Sequence, residues 1–262
     1  MTVVSDQSVV SEMHYLEQQK LYETEKPYSL RFPPNGIPQL PQSNVKRERH
    51  QIQLHSMRQR KDLTLDSCGF ELLVSPCSIP YEDFANPQRI QDTYLPNLGH
   101  NLKIALGAKL VIPLDSCGQV RRRHRLFPIS TGENYEHNQP TAMAHIDFTV
   151  REGERMIHAL FGGNADQVLQ SRWQIINAWR PIKGPLNDWP LGLCDTRTVD
   201  FQSDTMPGDI VFREFFTENI QVHYNSKQVW YWLPEQTVDE VLLFKSAESD
   251  ANSAQGASNI GW

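Results

Sequence analysis

The triplet His145-Ile146-Asp147 carries residue types that a mononuclear iron site uses. It lies in the run Thr141–Thr149, which reads as the end of a β-strand. Side chains at i and i+2 of a strand project to one face, so the His145 imidazole and the Asp147 carboxylate can converge on one point. They supply two of the three protein ligands in a 2-His-1-carboxylate site for non-haem Fe(II), which leaves positions open for co-substrates. By itself the triplet also fits an ordinary half-buried strand. The surrounding sequence has to separate the two readings.

The elements around it are mostly short strands. Asp62–Val74 reads as a turn and then a strand. Asn86-Pro87 opens a helix, with proline at its first position. Ile90, Tyr94, Leu98 and Leu102 recur at helical spacing and are expected to face the core, and Gly107 ends the segment. Ala108–Leu114 is rich in β-formers. After Asp147, Glu152–Phe161 and Ala165–Arg172 read as helices separated by Gly162-Gly163. Gln174–Ile182, Asp209–Phe216, Gln221–Asn225, Gln228–Leu233 and Glu240–Lys245 read as strands, with Tyr224–Val229 as a hairpin connection. Many short strands with turn signals indicate a sandwich or barrel with a few helices packed outside.

Residues 1–45 are polar and end in a proline-rich run (Pro27, Pro33, Pro34, Pro38, Pro41), with a short helix expected over Glu12–Glu23. They read as an extended N-terminal arm lying over the core or over a partner subunit. Residues 46–246 form the main domain, and 247–262 a short, small-residue tail.

A chain of 262 residues can bury one large core. Its net charge of -6 and pI near 5.8 argue against a nucleic-acid footprint. The short basic run Arg121–Arg125 reads as a solvated turn or strand edge. Cys68, Cys77, Cys117 and Cys194 show no Cys-x-x-Cys spacing, which fits a reducing compartment. No apolar run reaches the roughly 18 residues of a membrane-spanning helix, and Met1–Asp6 lacks the features of a signal peptide. The expectation is a cytoplasmic protein that binds neither nucleic acid nor membrane.

Longer motifs then resemble a known family. Asn177-Ala-Trp-Arg-Pro-Ile182, continuing through Pro190-Leu-Gly-Leu-Cys-Asp195, is similar to a block of the AsaB-type hydroxylase/desaturase family, which includes the fungal gibberellin desaturase. Tyr224–Trp232, Gln236–Lys245, Leu65–Phe70 and Gly107-Ala108 also match, so the resemblance covers roughly residues 50 to 250. It implies a double-stranded β-helix (jelly-roll) core. It also implies relatives that use Fe(II) and 2-oxoglutarate on small natural products, with a basic side chain holding a carboxylate of 2-oxoglutarate. His145 and Asp147 match the first two ligands. The resemblance places the third, a histidine in the family, on Asn259, and a family arginine on Gln255. The family strand that follows, with its 2-oxoglutarate anchor, has no counterpart before Trp262.

These substitutions lead to the expectation of an enzyme on a retired oxygenase scaffold that needs no cofactor. It would catalyse a non-redox cyclisation, pericyclic reaction or isomerisation of a natural-product intermediate in a hydrophobic pocket, using orientation and a few polarising donors. Arg180, Asn177 and Tyr224 are the expected donors. His145, Asp147, Trp179 and Trp232 are the expected pocket lining. One alternative is a working Fe(II)/2-oxoglutarate hydroxylase or desaturase with an unusual third ligand. Another is an inactive partner subunit of a homologous oxygenase; independently of these readings, the expected assemblies are a homodimer or a heterodimer.

Overall fold

Alternation along the strands builds two facing sheets. In chain order the strands are β1 (Ser8–Leu16), β2 (Tyr28–Leu30), β3 (Arg47–Ser56), β4 (Phe70–Val74), β5 (His145–Ile146), β6 (Gln174–Trp179), β7 (Leu191–Cys194), β8 (Thr205–Val211), β9 (Phe216–Val222), β10 (Trp230–Trp232), β11 (Glu240–Glu248) and β12 (Asn259–Gly261). The helices are α1 (Leu65–Cys68), α2 (Pro87–Arg89), α3 (Leu95–Ala105), α4 (Val150–Phe161) and α5 (Ala165–Leu169). The structure is a computed structural model that describes residues 8–34, 40–114, 120–126 and 139–261. Cys117, Pro38 and most of the loop from Pro128 to Pro140 lie outside the described residues.

The larger sheet runs β1-β3-β10-β7-β12-β5-β9-β8-β2, and the smaller runs β4-β11-β6. Strand β10 shows how one strand serves two cores, because successive side chains point to opposite faces. Tyr231 enters the core between the sheets, with Leu191, Leu193, Phe70, Leu242 and Phe244. Trp230 enters a second core with Met13, Tyr15, Ile52, Leu54 and Cys194. The larger sheet curls until its edge strand meets the run entering β5: the His14 amide donates to the Ala142 carbonyl at 3.0 Å and the Ala144 amide to the His14 carbonyl at 2.8 Å. Behind the smaller sheet, Val241 and Leu243 pack on Ile90, Tyr94 and Leu98 of the helical layer. Each large apolar side chain so buried contributes about 1.5–3 kcal/mol. Two facing sheets with helices outside are the mainly β, jelly-roll arrangement expected.

Several expectations about the chain's organisation need correction. The N-terminal segment is no separate arm: β1 pairs with β3 along nine residues, from Ser8↔His55 to Leu16↔Arg47, and β2 pairs with β8 at the opposite edge. No helix crosses Glu12–Glu23, because the apolar positions Met13 and Tyr15 alternate with polar ones and face the second core; only Lys20–Glu23 forms a 3-10 turn. Ala108–Leu114 forms no strand, and Leu110, Ile112 and Leu114 are exposed. Tyr224–Val229 is no hairpin loop either, since it connects β9 and β10, which are not neighbours in the sheet. The tail does not hang free: it ends in β12, inserted between β7 and β5.

Candidate metal centre

Strand β5 sits in the middle of the larger sheet. Its His145 is directly opposite Asn259 of β12 on one side and Gln221 of β9 on the other. Directly paired residues share a face, so these three side chains stand side by side. The face looks across the inter-sheet core toward β6, where Asn177 is paired with Phe244. Asp147 follows the end of β5, in a turn held by Thr149. The Thr149 hydroxyl accepts from the Glu152 amide at 3.1 Å, capping α4, and donates to Glu218 Oε1 at 2.7 Å.

The geometry around these residues is specific. His145 Nδ1 lies 2.8 Å from the Met143 carbonyl oxygen, an acceptor, so Nδ1 carries a proton and donates. That leaves Nε2, 3.2 Å from Asp147 Oδ1, as the nitrogen aimed into the site. Asp147 Oδ2 accepts from Asn177 Nδ2 at 2.5 Å, and Asn177 in turn donates to Ser246 Oγ at 3.0 Å. Asn259 Nδ2 lies 3.3 Å from the His145 carbonyl oxygen and 3.4 Å from Asp147 Oδ2.

With Nδ1 committed, a neutral imidazole would present a lone pair to the Asp147 carboxylate. That contact requires either a second proton on the ring or a cation between the two groups. Burial lowers the proton affinity of His145, but the hydrogen bond and charge of Asp147 more than offset it, and the ring is held above its ordinary range. Burial pushes the Asp147 carboxyl up, and His145 and Asn177 outweigh that, so it stays below its ordinary range. The Arg121 guanidinium also acts on both groups through its charge.

Gln221 joins the site although no motif or spacing singled it out, and Arg121, itself exposed, acts on it only through its charge. Arg121 belongs to the basic run read as a solvated turn. That run is largely exposed, as expected, and is tethered at two points: Arg122 Nη1 donates to the Tyr81 hydroxyl at 2.8 Å, and Arg123 pairs with Asp188 at 2.7 Å. Gln221 is buried, its Nε2 donates to Asn219 Oδ1 at 3.1 Å, and its Oε1 has no hydrogen-bond partner among the described residues. Set beside His145 in the sheet, this acceptor is open to a donor from a ligand or water. Only the strand register could have exposed it.

Other residues expected at the site are elsewhere. Arg180 sits one residue beyond β6, on the face opposite Trp179. Its Nη1 donates to the carbonyls of Ser75 at 3.1 Å and Val238 at 3.0 Å, and its guanidinium lies 5.4 Å from the Tyr94 ring centroid. It ties the smaller sheet to the helical layer. Tyr224 stacks on His50 at 3.7 Å and meets Tyr15 edge-on at 5.4 Å in the second core. Trp232 pairs with Gly192, one register step from Leu193 and Asn259, so it projects from the opposite face. There it lines a separate cleft of about 510 Å³ with Trp189, Pro190 and Pro234. Trp179 does share the face of Asn177 and packs against the inter-sheet core.

The comparison with known proteins decides the family. A family model described as "Oxidoreductase/YMDC permease-like domain" matches residues 13–259. The chain belongs to that family. No helix among the described residues is long and apolar enough to cross a membrane. The chain is 28% identical over 208 residues to the alpha-ketoglutarate-dependent dioxygenase tstK of Talaromyces stipitatus, covering 77% of this chain and 72% of the relative. It is 28% identical over 218 residues to the Fe(II)/2-oxoglutarate-dependent dioxygenase nvfI of Aspergillus novofumigatus, covering 80% of this chain and 74% of the relative. Its fold matches a solved structure of a variant of the iron and alpha-ketoglutarate-dependent endoperoxidase NvfI, with TM-score 0.84 and 24% identity, over 99% of this chain and 91% of that one. Fungal hydroxylase/desaturases and a gibberellin cluster desaturase are also among the relatives, as the resemblance implied.

These relatives overturn the expectation that no cofactor is needed: they are named for their dependence on Fe(II) and 2-oxoglutarate. They are oxidoreductases, and none of them is a cofactor-free cyclase by name. The residues present fit such a metal in kind. Imidazole, carboxylate and carboxamide oxygen are all donors that Fe(II) accepts. The contact from His145 Nδ1 to a backbone carbonyl and the Asn177 hydrogen bond to Asp147 are the outer-shell supports that ligating side chains need. The set holds two strong donors and one weak one, because among the described residues no third His, Cys, Asp or Glu joins His145 and Asp147.

Proposed function

We propose that the chain is an Fe(II)- and 2-oxoglutarate-dependent oxygenase that hydroxylates or desaturates a small natural product. The observation that carries this reading is the convergence of His145, Asp147 and Asn259 on one sheet face, with the His145 Nδ1 hydrogen already committed to Met143. His145 Nε2 and Asp147 Oδ1 would hold the metal, and Asn259 would offer its carboxamide oxygen as the third donor. The terminal O and N of a carboxamide are interchangeable by rotation, so the Asn259 backbone position needs no change. Asn177, braced by Ser246, occupies Asp147 Oδ2 and leaves Oδ1 for the metal.

When bound, Fe(II) with 2-oxoglutarate and O2 would supply the oxidising power to remove hydrogen from an unactivated C–H bond. The protein's part is binding and orientation. Arg121 supplies the positive charge for a carboxylate of the co-substrate. Gln221 Oε1 accepts a hydrogen bond from a donor group of the bound ligand, and Trp179 walls the pocket with apolar surface.

Anaerobic addition of Fe(II) and then 2-oxoglutarate to the protein is expected to produce a weak visible charge-transfer band. Absence of the band, together with turnover that survives a chelator and anaerobic conditions, would replace this reading with a non-redox step in the same pocket.

A further inference from the structure

Lys245 is the one fully buried lysine among the described residues, with 0% exposure. Its Nζ donates to Glu248 Oε2 at 2.7 Å, Ser253 Oγ at 2.6 Å, the Ala254 carbonyl at 3.1 Å and Asp66 Oδ1 at 3.2 Å. The Glu248 side chain is also 0% exposed. On a regular strand, residues three apart point to opposite faces. A register shift between Lys245 and Ala247 brings these two together. Arg172 Nη2 bonds both Glu248 and Asp66, closing the cluster. Burial raises the Glu248 carboxyl, but Arg172 and Lys245 outweigh it and hold the group at about 2.

An ion cluster this deep costs desolvation, and a well-packed apolar set would stabilise the fold as well or better. What the cluster does in addition is anchor one segment. Residues 250–258 run from β11 to β12 without regular structure. Lys245 Nζ holds that segment at Ser253 and Ala254, and the Lys245 carbonyl accepts from the Ala257 amide at 2.9 Å. The Ala254 amide donates to the Asp66 carbonyl at 3.0 Å. The segment is also pressed close to its neighbours: a Cβ on Gly256 would lie 2.5 Å from the Ser246 carbonyl oxygen and 2.6 Å from Ile146 Cγ2. Gly69, at φ +86°, leaves room for the Gln255 carbonyl 3.0 Å from where its own Cβ would be. One residue beyond this segment, Asn259 lands opposite His145.

We propose that the Lys245 cluster is a positioning device that sets the third metal donor, Asn259, against His145 and Asp147. The inference rests on the reading of these three residues as metal donors. The cluster acts only through Asn259 and touches no ligand itself. A purely structural lysine would change the stability of the protein and leave its metal coordination alone.

The test adds Co(II) alone to the full chain and reads both affinity and the visible ligand-field spectrum. Lys245→Met is expected to bind Co(II) about 10- to 100-fold more weakly, the range for losing an outer-shell support. Its spectrum is expected to move to that of Asn259→Ala. Should Lys245→Met fail to fold, Asp66→Asn combined with Ser253→Ala removes two partners from the solvent side and is expected to shift the spectrum the same way. A cluster variant with wild-type Co(II) affinity and spectrum overturns the inference. So does an Asn259→Ala protein that binds like wild type while His145→Ala does not, and that result leaves the His145–Asp147 pair standing. Failure of the wild-type chain to bind Co(II) overturns the metal-site reading itself.

Discussion

His145→Ala and Asp147→Ala are each expected to abolish Fe(II) binding and with it turnover. Each substitution removes one of the two strong donors, and no neighbouring His, Cys, Asp or Glu among the described residues is placed to replace it. The affinity loss is expected to exceed the roughly 10- to 100-fold that removal of an outer-shell partner costs. The fold should survive. Asp147→Ala leaves Asn177 without one acceptor, but Asn177 keeps Ser246. His145→Ala frees the Met143 carbonyl, a loss of about 1 kcal/mol for a single hydrogen bond. Anaerobic calorimetric titration with Fe(II), beside a thermal unfolding scan, separates the two effects. Retention of turnover by either variant would remove iron from the account of this protein.

Asn259→His is expected to act in the opposite direction. In the present site a carboxamide occupies the position across from His145, and it is a poorer donor to Fe(II) than imidazole. A histidine there completes two imidazoles and a carboxylate on one sheet face. The expected gain in Fe(II) affinity is about 10-fold or more, equivalent to about 1.4 kcal/mol. The same titration reads it, and the 2-oxoglutarate charge-transfer band should intensify at a given iron concentration. An Asn259→His protein with unchanged affinity would show that the residue at 259 does not reach the metal.

How far the sequence reveals this arrangement depends on strand parity. His145 and Asp147 are legible as a pair because they are two apart at a strand end. The same rule separates Asn177 from Arg180, which are three apart: Asn177 and Trp179 share the inner face, whereas Ala178 and Arg180 turn to the helical layer. Parity applied to that motif would have excluded Arg180 without coordinates. Gln221 and Trp232 depend on register between strands distant in sequence, which single-strand alternation does not carry.

Strand β1 looked like an arm because its polar residues alternate with only a few apolar ones. Its strand character comes from the second core that Met13 and Tyr15 enter. In the tail, the small residues of Ser253–Ser258 carry no periodic signal. They are small because the segment threads between β11, the turn at Gly69 and Ile146. The lone lysine at the end of the apolar run Val241–Phe244 was the available hint that a buried charge cluster anchors it.

The most direct test of the metal site is anomalous diffraction at the iron edge from crystals grown anaerobically with Fe(II). The expected result is a single strong peak bounded by His145 Nε2, the Asp147 carboxylate and the Asn259 carboxamide oxygen. A peak elsewhere, or none at saturating Fe(II), would contradict it.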